Sequence, residues 1–208
     1  MSIVRVVDRM MLRGMERRLR STDEAHRIEG IALVDYALYT PYFRQTFAAA
    51  LGLIKLKDPR RFRRICRYVK GIVALPMGYV QAGYVEQLQV CTVRFDPPPS
   101  KEKLAQWAVW YASVVVHEAT HGLVFARGIP YDERYRERIE RLCIKEEHRF
   151  LRPLLTPESV AKMEKMRTFN SDAYRWHWAS SFWQRWRQSV RHQKARKQRE
   201  QRLRDNEA

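Results

Sequence analysis

The chain has 208 residues, 45% hydrophobic and 12% aromatic, which allows one domain with a real core and makes two a tight fit. A net charge of +17 favours anionic partners (phospholipid head groups, nucleic acid or acidic polypeptides) without choosing among them, and equally serves as a solvated surface. Cys66, Cys91 and Cys143 form no CxxC, which argues against a disulfide scaffold or a cysteine-rich zinc knuckle. The first residues carry charges too regularly for a signal peptide, and no stretch reaches the ~18 uncharged apolar residues of a membrane span. The expectation is a soluble, cytoplasmic protein, peripheral to a membrane at most.

Ile3, Val6, Val7, Met10, Met11, Met15 and Leu19 recur at three- and four-residue steps, predicting an amphipathic helix over 3–20. A second helical pattern is expected from Ile28 to Leu56, with a possible break at Thr40-Pro41. Asp58-Pro59 then opens a basic helix in which Phe62, Ile65, Cys66 and Val69 face inward and the arginines outward. From Gly71 to Asp96, β-branched and aromatic residues with glycine punctuation predict two or three strands, at 72–75, 79–80 and 90–95. The prolines 97–99 make a stiff loop, and Ser100 is a natural N-cap.

Lys101 to Arg127 is apolar almost all round, the mark of a buried central helix, and closes at Gly128 before Pro130. Another helix is expected from Asp132 to Leu151, a short one near Pro157, and a last one from Ser171 into the tail. There Trp176, Ala179, Trp183, Trp186 and Val190 step 3-4-3-4 beside Trp178 and Phe182, ahead of a basic run. This stripe reads first as a docked core face, then as a membrane-interface helix, then as a non-specific nucleic-acid platform. The domain reading is a body over 1–170 and an aromatic, basic segment over 171–208.

The central helix carries Val114-Val115-Val116-His117-Glu118-Ala119-Thr120-His121-Gly122, an HExxH motif. Residues four apart lie on one helix face, so His117 and His121 can reach one metal ion. Glu118, about 100° further round, stands beside such an ion, where it can take a proton from activated water. Glu118 and His121 share a side with Trp107, Tyr111, Val114 and Phe125, and ionisable groups on an apolar face need partners or a metal. The alternative is a metal-free core network of the same three side chains.

VVVHEATHG resembles the active-site helix of zincin metallopeptidases. In the gluzincin branch the third ligand is a glutamate on a following helix, and here eighteen residues separate His121 from Glu140, a spacing that some gluzincins use. The segment is also similar to uncharacterised bacterial proteins with a HEATH helix followed by R-x-E-x-x-C, matched by Arg138, Glu140 and Cys143. The resemblance implies an α+β, mainly helical fold in which a small zincin-like sheet packs on the buried HExxH helix, with a long C-terminal helix beyond. It implies Zn2+ held by His117, His121 and Glu140, with Glu118 as general base in a metallopeptidase-like hydrolase acting on a peptide or protein. Other candidates for the third ligand are Glu147, Glu146, Glu137, Cys91 (as in peptide deformylase), His148 and His177. Tyr111, Tyr131, Tyr135 and His177 are candidates to stabilise an oxyanion. The aspartate that follows the ligand glutamate in some gluzincins is missing here. The rival reading is a non-catalytic zinc-containing module that binds anionic partners, a membrane surface ahead of nucleic acid, through its basic surface.

Overall fold

The computed structural model of the chain describes residues 3–36, 40–75 and 82–160. Helix α1 (Ile3–Arg20) precedes a hairpin of β1 (Arg27–Ile28) and β2 (Ile31–Asp35). Helices α2 (Thr40–Lys57) and α3 (Pro59–Tyr68) follow, then β3 (Gly71–Ala74), β4 (Ala82–Val85) and β5 (Val90–Val93). Helices α4 (Leu104–Ala126) and α5 (Arg136–Leu151) complete the described elements. The architecture is α+β and mainly helical, with a five-stranded mixed sheet in the order β1-β2-β3-β5-β4 among the described residues. Strands β2, β3 and β5 run parallel, and the outer strands β1 and β4 are antiparallel to their neighbours. The expected C-terminal helix, its aromatic stripe and the 170/171 boundary lie outside the described residues, as do Tyr79 and Val80.

The sheet begins much earlier than Gly71, which corrects the helix expected from Ile28. Ile31 to Val34 are all buried, as are Gly71 to Ala74. Parallel strands covered on both faces read as continuous apolar runs without alternation, and such a run is indistinguishable by period from a buried helix. The local signal was Glu29-Gly30, whose φ angles of 50° and 80° turn the chain between Ile28 and Ile31 as a two-residue hairpin. The helix proper starts at Thr40, with Pro41 in its first turn, where its missing N–H removes no helical bond.

Helix α2 buries Phe43, Phe47, Ala50, Leu51 and Ile54, a helical face. Phe43, Phe47, Phe95 and Tyr111 form an aromatic cluster with centroids 4.8 to 6.1 Å apart. Tyr111 Oη accepts from Asp96 N at 2.9 Å, and Trp107 Nε1 donates to Asp96 O at 2.8 Å. These bonds fix the chain at the mouth of the proline loop and so set where α4 begins. Ser100 opens a 3-10 turn at Lys101–Lys103 with no capping bond from its side chain. Helix α4 ends as expected, with Gly128 at φ +72° and Gly128 N bonded to Phe125 O.

Helix α3 is capped by Asp58, whose carboxylate accepts from Arg61 N at 2.8 Å. Phe62, Ile65 and Val69 are buried as expected, and Cys66 is half-buried. Arg61 does not face outward as the other arginines do. Its guanidinium is largely covered, bonded to Asp58 and, at 2.8 Å, to Glu146 Oε2 on α5, so it ties α3 to α5. Met10, expected inward on α1, is exposed, whereas Met15 is buried. No helix among the described residues is long and apolar enough to cross a membrane.

Helix α4 lies between α2, α3, α5 and β4. At Gly122 it approaches β4 so closely that a Cβ there would meet the Tyr84 ring at 2.8 Å. The Tyr84 hydroxyl donates to Tyr68 O at 2.6 Å, so the ring has little freedom to move away. Gly122→Ala is therefore expected to lower stability by about 1–3 kcal/mol, measured as the urea midpoint. An unchanged midpoint would show that the contact yields.

Candidate metal centre

His117 and His121 come one above the other on α4, with ring centroids 5.2 Å apart. Opposite them, α5 presents Glu140, Cys143 and Glu147 at steps of three and four, all three buried. Glu140 bridges the histidines: its Oε2 is 3.4 Å from His117 Nε2 and its Oε1 is 3.6 Å from His121 Nε2. Glu147 Oε2 lies 3.4 Å from His117 Nδ1, the far side of the same ring. The Tyr131 hydroxyl donates to Glu140 Oε1, and its ring meets His121 edge-on at 5.4 Å. Donor atoms of His117, His121 and Cys143 all lie within 4.8 Å of one another. This group can hold a metal ion.

The distances are informative about which contacts these are. At 3.4 and 3.6 Å the imidazole–carboxylate separations exceed the ~2.7–3.2 Å of a good N–H···O bond. Glu140 meets the two imidazoles through different oxygens, as a loose ion-pair bridge between them. Glu147 lies at the same 3.4 Å from the far nitrogen of His117, outside the donor group, on the side from which a carboxylate can orient a ligand histidine.

Burial sets the protonation states. It pushes His121 down to about 4, assisted by His117 and opposed by Glu140, so its imidazole is neutral and has a lone pair near pH 7. Glu140 lies below the usual carboxylate range: burial pulls it upward, but His117, His121 and the Tyr131 hydroxyl together outweigh that. Glu118 behaves oppositely. Burial raises it to about 7, with His117 lowering it and Glu140 raising it further. Its Oε2 has no hydrogen-bond partner among the described residues, an expensive arrangement for a carboxylate unless water or a ligand proton meets it.

Several sequence expectations change here. Glu146 is bonded to Arg61 and to Arg149, and Glu137 pairs with Arg141 at an exposed position, so neither joins the donors. Cys91 is buried on β5, and His148 lies on α5; the group that can hold a metal comprises His117, His121 and Cys143, and includes neither of them nor Glu140, which instead lies against both histidines. His177 lies outside the described residues. Tyr111 is committed to the proline loop, and Tyr135 packs with Val124, Ile139 and Cys143. Tyr131 is the tyrosine at the centre. Phe125, placed by the helical wheel on the apolar side, is partly exposed where α4 runs out of cover. The role of Glu147 was missed, although its seven-residue step from Glu140 put both on one face. The chain matches no family model, no curated protein and no solved structure.

The titrations predict a pH dependence for chelator-treated protein. A carboxyl raised from 4.5 to about 7 adds stability that is complete below its ordinary pKa and is lost as pH rises through the folded value, up to about 3 kcal/mol. His121, depressed to about 4, does the reverse, losing its contribution as pH falls from 6.5 towards 4. Glu118→Gln removes only the first effect. Metal-free wild type should therefore lose ground against Glu118→Gln between pH 5 and pH 8 in urea midpoints. A constant difference would mean that Glu118 is not held in a desolvated site.

Proposed function

We propose that this protein is a zinc-dependent hydrolase, most simply a metallopeptidase, in which His117, His121 and Glu140 hold the metal. The observation that carries the reading is Glu118: a buried carboxylate beside the two histidines, raised to about 7, with one oxygen lacking a hydrogen-bond partner among the described residues. A general base is most effective when its pKa lies near the working pH. Bound zinc supplies Lewis-acid polarisation of a carbonyl and makes water acidic enough to lose a proton near neutrality.

Glu118 takes that proton from the attacking water and passes it to the departing amine nitrogen, so its carboxyl alternates between base and acid. Glu140 neutralises charge between the histidines, and Tyr131 holds Glu140 in place. Glu147 keeps His117 Nε2 turned towards the donor cluster. The side chains of His117 and His121 are each 14% exposed, which makes them the solvent side of the cluster. An amide carbonyl must enter there.

A second reading has support of its own. Arg60, Arg63, Arg64, Arg67 and Lys70 are exposed on or just after α3, in a chain of net charge +17. A module that keeps zinc for structure and binds anionic surfaces through such a face uses the same fold without hydrolysis. The two readings part at Glu118, which the second does not need.

Glu118→Gln should abolish hydrolysis of a casein or peptide-library substrate while retaining zinc in metal analysis. Activity surviving in this variant would remove Glu118 from its role. His121→Ala and Glu140→Ala should each lose zinc, and full zinc in Glu140→Ala would place the third ligand elsewhere. Glu147→Gln should keep the fold and weaken zinc binding by about 10–100-fold, measured by competition with a chromophoric chelator.

A further inference from the structure

We infer that Cys143 is a fourth protein ligand of the metal, coordinating through its thiolate sulfur. The inference rests on the reading that this cluster is a metal site, and does not depend on hydrolysis. Cys143 follows Glu140 by three residues on α5, so both side chains lie on the helix face turned towards α4. Its sulfur falls within 4.8 Å of the nitrogens of both His117 and His121, the same pair that Glu140 bridges. Two adjacent turns of α4 and one of α5 thus bring two nitrogens and a sulfur together, with Glu140, one turn before Cys143, lying against the same two imidazoles.

The surroundings of the thiol distinguish it from the other cysteines. Cys143 is completely buried, backed by Val124, Ile139 and Tyr135, whereas the histidines keep some exposure to solvent. The sulfur is therefore the inner donor, on the side of the cluster away from water. Cys91 is equally buried but is not within reach of both imidazoles, and Cys66 is half-buried on α3. Glu118, buried beside the cluster with an oxygen that has no partner among the described residues, is a second polar group left to interact with whatever occupies the centre.

Two consequences follow. A thiolate with two imidazoles selects zinc or a similar borderline metal, and excludes the hard cations magnesium, calcium and manganese. Four protein donors, with Glu140 among them, would be the closed arrangement of a structural zinc, so coordination by Cys143 together with Glu140 favours the non-catalytic reading, whereas His117, His121 and Cys143 alone leave a position for water.

Cobalt(II) substituted into the full-length protein tests this directly. Wild type should bind one equivalent and show the intense near-ultraviolet absorption of thiolate-to-cobalt charge transfer. That band should persist in the Cys66→Ala/Cys91→Ala double variant, whose remaining thiol is Cys143. In Cys143→Ala it should vanish, with cobalt still bound by His117, His121 and Glu140 and zinc affinity lower by at least about tenfold. Stoichiometric cobalt without the band in wild type or in the double variant overturns the ligand assignment and leaves the metal site standing. No cobalt and no zinc in wild type overturns both. The double variant retains the Cys143 thiol, so the test holds even if Cys143→Ala does not fold.

Discussion

Glu118, Glu140 and Glu147 are all buried around the His117–His121 pair, in surroundings where an isolated carboxylate would sit several kcal/mol above its energy in water. The cluster is tolerable because its carboxylates have polar partners. Glu140 spans both imidazoles and receives the Tyr131 hydroxyl, and Glu147 meets the remaining nitrogen of His117. Glu118 is the exception, and its carboxyl responds by retaining its proton to about 7. The packing of α5 on α4 joins this cluster to an apolar contact of Val124 with Ile139 and Cys143.

The rest of the fold holds α4 in position for that contact. The aromatic cluster of Phe43, Phe47, Phe95 and Tyr111 fastens α4 to α2, and Gly122 lets it settle against Tyr84 on β4. On its other side, Arg61 reaches from α3 to Glu146, with its charge also balanced by the Asp58 that caps α3. Glu146 and Glu147 are neighbours in sequence, yet one faces Arg61 and the other faces His117. Adjacent residues on a helix differ by about 100°, and α5 uses that difference to join α3 and the histidine cluster to a single element.

The parts of the fold that could be read from sequence were those where a local rule acts alone. Helix α4 was legible from its uninterrupted apolar run and its glycine stop, α3 from Asp58-Pro59, and the two histidines from their four-residue step. The strands β1 and β2 were not, because four buried residues in a row carry no period, and the apolar run merges in sequence with the helical stretch of α2 that follows it. Arg61 was read as solvent-facing because nothing in its own segment reports Glu146, eighty-five residues away.

The sequence by itself determined that His117 and His121 share a helix face, that Glu118 stands beside them, and that the helix carrying them is buried. Helical geometry fixes those relations whatever surrounds the helix. Tertiary structure alone decided which α5 side chains meet them, because Glu137, Glu140, Cys143, Glu146 and Glu147 differ only in rotation about an axis whose docking angle is set by packing. That rotation places Glu140 between the histidines, turns Glu146 away to Arg61, puts Glu147 behind His117, and brings the thiol of Cys143 within reach of both rings.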